Sequence, residues 1–168
     1  MTFTHKAKKI KNNLQITTIP GDKSISHRAI IIGSLATNNS TFENFLCAQD
    51  CLHTAQIFQA LGVAISINTA TQTVHITGVG LHGLKQANSQ LNVGNSGTGI
   101  RLISGVLAAQ SFDTSITGDH SICTNRPVTP LISALPRLGV VCESVNGDGY
   151  APLKVQGPYT EHDTELSG

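Results

Sequence analysis

The sequence predicts an α/β fold in which one β-α-β-α-β-β unit is used twice. Three observations carry this reading. Apolar residues switch repeatedly between helical and strand spacing along the 168 residues. Two polar segments, Gly21 to Arg28 and Asn95 to Arg101, each run directly into an apolar helix. Landmarks also recur at a nearly constant offset: Arg28 with Arg101, Leu61-Gly62-Val63 with Leu138-Gly139-Val140, and Gly78 with Gly157. The units cover about 14–78 and 91–157.

In the first unit the expected elements are a strand over 14–19, a helix over 24–36, a strand over 40–46, a helix over 51–61, and strands over 63–67 and 73–77. Ile25, Ala29, Ile32 and Ala36 form one helical stripe, which predicts the buried face of the first helix. Asp50 stands as the N-cap of the second, where Cys51, Ala55, Phe58 and Leu61 follow helical spacing. The second unit reads as a strand near 91–93, a helix over 97–109, a strand over 113–117, a helix over 127–138, and strands over 140–145 and 152–155. Helix 97–109 is apolar nearly all round, which predicts burial. Gly33, Ser34, Ser104 and Gly105 are small enough for the central helices to approach closely. Pro127 suits a first helical turn, whereas Pro136 predicts a kink or an end. Gly62 and Gly139 fall where a helix stops and a strand begins. Segments 118–121 and 146–149 read as turns.

Composition narrows the function classes. A net charge of +1, 12% charged residues and no Trp argue against a nucleic-acid partner, which demands a basic face or stacking platforms. No apolar run approaches the ~18 residues of a membrane span, and the basic start from Lys6 to Lys11 has no apolar run behind it. A soluble cytoplasmic protein is the expectation. Cys47, Cys51 and His53 match no standard zinc spacing, so the four cysteines read as core residues.

The two helix mouths carry the chemistry. A helix N-terminus offers unpaired N–H groups and partial positive charge, a natural seat for an anion. Lys23 stands before the first turn, and Ser24 and Arg28 share one face. Ammonium and guanidinium together suit phosphate and carboxylate, each charge-assisted hydrogen bond contributing roughly 1.5–3 kcal/mol. The same residues also admit a plainer reading: Ser24 as an N-cap beside two solvated cations. At the second mouth Gly97 and Gly99 allow close backbone approach, with Asn95, Ser96 and Thr98 as polar neighbours. Arg101 leads an apolar helix and must find an anionic or carbonyl partner. Asn125-Arg126-Pro127 puts a third arginine at a helix start. A Walker-type phosphate loop is excluded because its upstream glycine is missing. No carboxylate stands out as a general acid or base, and the seven histidines suggest no role.

The segments from Pro20 to Arg28, Gly94 to Arg101 and Gly118 to Pro127 resemble three signatures of the 5-enolpyruvylshikimate-3-phosphate synthase family. The resemblance implies an inverse α/β barrel, with buried parallel helices and sheets outside. It also implies transfer of the enolpyruvyl group of phosphoenolpyruvate to the 5-hydroxyl of shikimate 3-phosphate, releasing phosphate, on the route to the aromatic amino acids. No metal or organic cofactor is implied, and a monomer is expected. By the same resemblance, Lys23, Ser24 and Arg28 hold shikimate 3-phosphate, and Lys23, Gly97 and Arg126 line the phosphoenolpyruvate site. Asn95, Thr98 and Arg101 support it, and Gly97 leaves room for the inhibitor glyphosate. The sister amino-sugar family, acting on UDP-N-acetylglucosamine, has Lys-Asn where this chain has Lys23-Ser24, which favours the shikimate enzyme.

The resemblance covers nearly all of residues 1–168, while the chain covers less than half of the family's length. This implies part of an N-terminal globular half, with a third unit and a second domain absent. The chain stops at Ser167-Gly168, before the family's Ser-Gln segment and its proton-moving acidic residues. An anion-binding fragment without activity of its own is therefore the alternative expectation, beside the sister transferase.

Overall fold

The computed structural model describes residues 19–157. Its elements, in order, are α1 (Lys23–Leu35), β1 (Asn39–Phe42), α2 (Gln49–Ala60), β2 (Ala64–Asn68), β3 (Thr73–Thr77), β4 (Leu91–Asn92), α3 (Gly97–Ala108), β5 (Asp113–Thr117), α4 (His120–Thr124), α5 (Thr129–Ala134), a 3-10 turn (Leu135–Leu138), β6 (Val141–Ser144) and β7 (Leu153–Gln156). The strand expected over 14–19 lies outside the described residues apart from Ile19, which is not in a strand.

Two sheets result. The first has the order β1-β3-β2 and is antiparallel throughout. The second has the order β4-β5-β7-β6, with β4 parallel to β5 and the rest antiparallel. Strand alternation decides which face meets the helices: Val74 and Ile76 of β3 point in, while His75 and Thr77 point out. Thr114 and Ile116 of β5, and Leu153 and Val155 of β7, repeat the pattern. One continuous core joins both sheets, with Ile30, Phe58, Leu61, Ile76, Ile100, Ile103, Leu107 and Leu153 fully enclosed. Gly62 (φ 92) and Gly139 (φ 76) end their helical segments in the left-handed region, as their positions in the sequence predict.

Several expectations are corrected. Ser24 is not a cap: Asp22 caps α1, its carboxylate accepting from the Ile25 N–H at 2.8 Å. Asp50 is not one either, since α2 starts at Gln49 after Ala48, which makes no side-chain cap bond, and Asp50 pairs with Lys23 instead. The stripe of Ile25, Ala29, Ile32 and Ala36 is buried at Ala29 but not at its two isoleucines. Ile25 and Ile32 are 69% and 64% exposed, because α1 turns Ile30, Ile31 and Gly33 toward the core instead. Helix α1 is apolar on both sides, so periodicity could not choose between them.

Helix α3 is likewise open along one side, where Leu102 and Val106 are only partly buried and Gly105 faces empty space. At Gly33 the opposite holds, since an added Cβ would lie 2.9 Å from the Ile76 Cδ1. The helix expected over 127–138 is shorter and broken. Pro127 precedes α5, Pro130 takes the first-turn position, and the α-helix tightens into a 3-10 turn at Pro136. Proline has no N–H to donate four residues back, so it cannot continue the α pattern. Segment 118–121 is more than a turn: Asp119 caps the short helix α4.

Candidate active site

The mouth of α1 is built by local contacts. Gly21 lies so close to the Asn44 carbonyl that no side chain fits there. Ser26 accepts from the Leu46 N–H at 3.0 Å and donates to the Asp22 carbonyl at 2.8 Å, tying the helix start to the segment after β1. Lys23 extends from this mouth and forms an ion pair with Asp50. Ser24 and Arg28 are exposed one turn apart, and Arg28 donates to the Ser24 carbonyl at 3.1 Å.

Behind Lys23 lies a histidine with no role in the sequence reading. His27 is fully buried, and its Nδ1 is 2.8 Å from the Thr54 hydroxyl. That hydroxyl gives its proton to the Asp50 carbonyl at 3.2 Å, so Nδ1 carries the imidazole hydrogen. Burial pushes the His27 pKa down, and the Lys23 charge adds to this, while Asp50 opposes it and Arg28 contributes a further lowering. The imidazole is held neutral.

The mouth of α3 is a second cluster. Ser96 caps the helix, accepting from the Gly99 N–H at 2.9 Å. Arg101 finds the carbonyl partners its position demands, donating to Gly97 at 2.8 Å and to Pro127 at 3.2 Å. Arg126 donates to Asn95 Oδ1 at 2.9 Å, and Asn95 Nδ2 donates to Asp119 at 2.5 Å. A Cβ on Gly97 would lie 2.9 Å from Arg126 Nη1 and 3.4 Å from Arg101 Nη1, so this glycine opens the space between two guanidinium groups. Thr98 is exposed on the first turn of α3.

Helix α2 stands between the two mouths. Asp50 meets Lys23, and the ring of His53, three residues on, lies against Gly94. Residues three apart share a helical face, so one turn of α2 fixes both mouths. Asn95, Gly97, Arg101 and Arg126 are brought together by their own contacts, while Lys23 pairs with Asp50 of α2 instead. Ser24 and Arg28 lie farther along α1, where Arg28 borders a groove of about 510 Å3 lined with Ile32, Leu81 and Leu102. The sequence reading missed Asp50 and Asp119 as partners of Lys23 and Asn95. Nothing local could have found Asp119, which meets Asn95 across a separation of 24 residues. Among the described residues no group of three or more His, Cys, Asp or Glu side chains could hold a metal ion.

The family model for EPSP synthase (3-phosphoshikimate 1-carboxyvinyltransferase) matches residues 6–167. The chain belongs to the EPSP synthase family. A 3-phosphoshikimate 1-carboxyvinyltransferase of Ruthia magnifica is 48% identical over 139 residues, which is 83% of this chain and 31% of that protein. One from Listeria monocytogenes serotype 4a is 44% identical over 140 residues, 83% of this chain and 32% of that protein. An EPSP synthase structure from Acinetobacter baumannii superposes with a TM-score of 0.79 at 41% identity, covering 83% of this chain and 31% of that one. This chain therefore spans about a third of the length of the EPSP synthases it matches, and it shares their α/β fold.

Proposed function

We propose that this chain is the N-terminal portion of a 3-phosphoshikimate 1-carboxyvinyltransferase. The reaction moves the enolpyruvyl group of phosphoenolpyruvate to the 5-hydroxyl of shikimate 3-phosphate and releases phosphate. The observation that carries the reading is the family match over residues 6–167, together with the cations gathered at two helix mouths flanking α2. In this reading Lys23, Ser24 and Arg28 hold shikimate 3-phosphate, while Lys23, Gly97 and Arg126 receive phosphoenolpyruvate. Asn95, Thr98 and Arg101 support that second site. The contribution of these residues is positioning and charge neutralisation of two anionic substrates. Residues 14–78 and 91–157 are two copies of one unit in a larger globular half. A monomeric cytoplasmic enzyme without metal or organic cofactor completes the proposal, with Gly97 making it a glyphosate target.

The test is an NMR titration of the chain with shikimate 3-phosphate, with UDP-N-acetylglucosamine as the competing ligand. Saturable shifts at Lys23, Ser24 and Arg28 with the first ligand only are expected. Shifts with the amino sugar alone would overturn the substrate assignment.

A second reading, an anion-binding module inactive by itself, is favoured by the coverage of only 31% of the Ruthia magnifica relative. Phosphate release measured from both substrates with the isolated chain decides between them, and turnover would remove the second reading.

A further inference from the structure

We propose that Asp119 is a positioning residue: its carboxylate fixes the side-chain amide of Asn95, and Asn95 in turn aims the Arg126 guanidinium at the mouth of α3. The inference rests on reading Arg126 as an anion-binding group. It begins with an asymmetry of the asparagine side chain. One end of the amide only accepts hydrogen bonds and the other only donates, yet the two ends have nearly the same shape. Arg126 has donors only, so Asn95 supports it solely when the oxygen faces it, as it does at 2.9 Å. The amide nitrogen must then point away and needs an acceptor of its own.

Asp119 supplies that acceptor. Its Oδ2 receives the Asn95 Nδ2–H at 2.5 Å. The carboxylate cannot drift, because its other oxygen accepts from the Ile122 N–H at 3.0 Å and the Asp119 N–H donates to the Gly94 carbonyl at 2.8 Å. Capping the short helix α4 would need one oxygen alone. The second oxygen is spent on a side chain of the α3 mouth, two dozen residues back along the chain. The Asn95 hydrogen bond, then that of Ile122, hold the Asp119 carboxyl below the usual carboxylate range, with Arg126 adding a smaller lowering. Ionised, Asp119 can only accept, so it locks the amide in the one orientation that serves Arg126. The guanidinium thus fixed has its Nη1 over Gly97, where the proposed substrate phosphate or carboxylate would sit.

The decisive variant is Asp119→Asn. It keeps the shape and the capping oxygen, but puts an amino group where Oδ2 stood. Asn95 must then turn its amide over to satisfy it, and the Asn95 amino group comes to face the donors of Arg126.

In the 15N-labelled chain the Asn95 side-chain amide and Arg126 side-chain N–H signals are expected to titrate together as Asp119 protonates at acid pH. In Asp119→Asn both signals are expected to move to new positions and lose that titration. Affinity for phosphoenolpyruvate, used as the probe, should fall about ten-fold while the unfolding midpoint stays put. Asp119→Ser keeps a capping hydroxyl and leaves the Asn95 nitrogen to water, so it should lie between the two, and it serves if the first variant misfolds.

Arg126 signals unchanged in both variants would overturn the inference. An Arg126→Ala control separates the underlying reading: if its removal leaves phosphoenolpyruvate binding intact, Arg126 is not an anion site. The Asn95 and Arg126 signals decide the positioning either way.

Discussion

Gly97 is the residue at which backbone space and charge meet. The atom nearest an added methyl group is the far end of the flexible Arg126 side chain, 2.9 Å away, so the guanidinium can yield where a backbone could not. Gly97→Ala is therefore expected to fold with stability within about 1 kcal/mol of the parent. The displaced Arg126 should weaken phosphoenolpyruvate binding by roughly 1–2 kcal/mol, read by calorimetry, and an unchanged affinity would separate Gly97 from the site.

His27 makes the complementary statement about protons. Its pKa in the folded state lies below the ordinary 6.5, so below that value the unfolded chain binds the proton more readily. Stability should fall as pH drops from 6.5 toward the lowered value and be fully present above 6.5. Denaturant midpoints across that window check this, and His27→Asn should flatten the slope. As candidates the anion residues were legible one by one, although the same lysine, arginine and serine also fit a capped helix start with solvated cations. Their carboxylate partners were not, since Asp50 and Asp119 look locally like caps and turns.

Among the elements, helix starts depend on a few atoms. Asp22 closes the α1 start although Ser24, two residues on, is an equally good capping type. Asp22→Ala is expected to cost about 1 kcal/mol, measured as a shift in the denaturation midpoint, while Ser24→Ala costs almost nothing. Strands β3 and β5 were read to the residue, because both alternate clearly between buried and exposed positions. Helix α4 was missed because five residues are too short for any periodicity to register. The broken 127–138 segment shows the limit of local rules. Pro136 was rightly expected to disturb a helix, but which proline opened it depended on where the chain turned after Arg126.

Across the whole molecule, apolar residues divide into those that build the core and those that face the open groove between α1 and α3. Phe58 is fully buried and Ile32 is 64% exposed, though both are large and apolar. Phe58→Ala should destabilise by about 3–5 kcal/mol. Ile32→Gln should change stability by less than about 0.5 kcal/mol, and equal losses for the two would mean that the groove is closed in solution. Continuity of the core across both sheets means that the two halves should unfold together, since neither sheet has an apolar layer to itself.

The α/β class, the strands and the longer helices are determined by the sequence alone, because each depends on periodicity and residue type within about a dozen positions. Only the tertiary structure decided which side of α1 and α3 is buried, that Asp50 and Asp119 serve Lys23 and Asn95, and that α2 fixes both mouths. These depend on residues far apart in the chain, and a helix apolar all round carries no local mark of what it will be packed against.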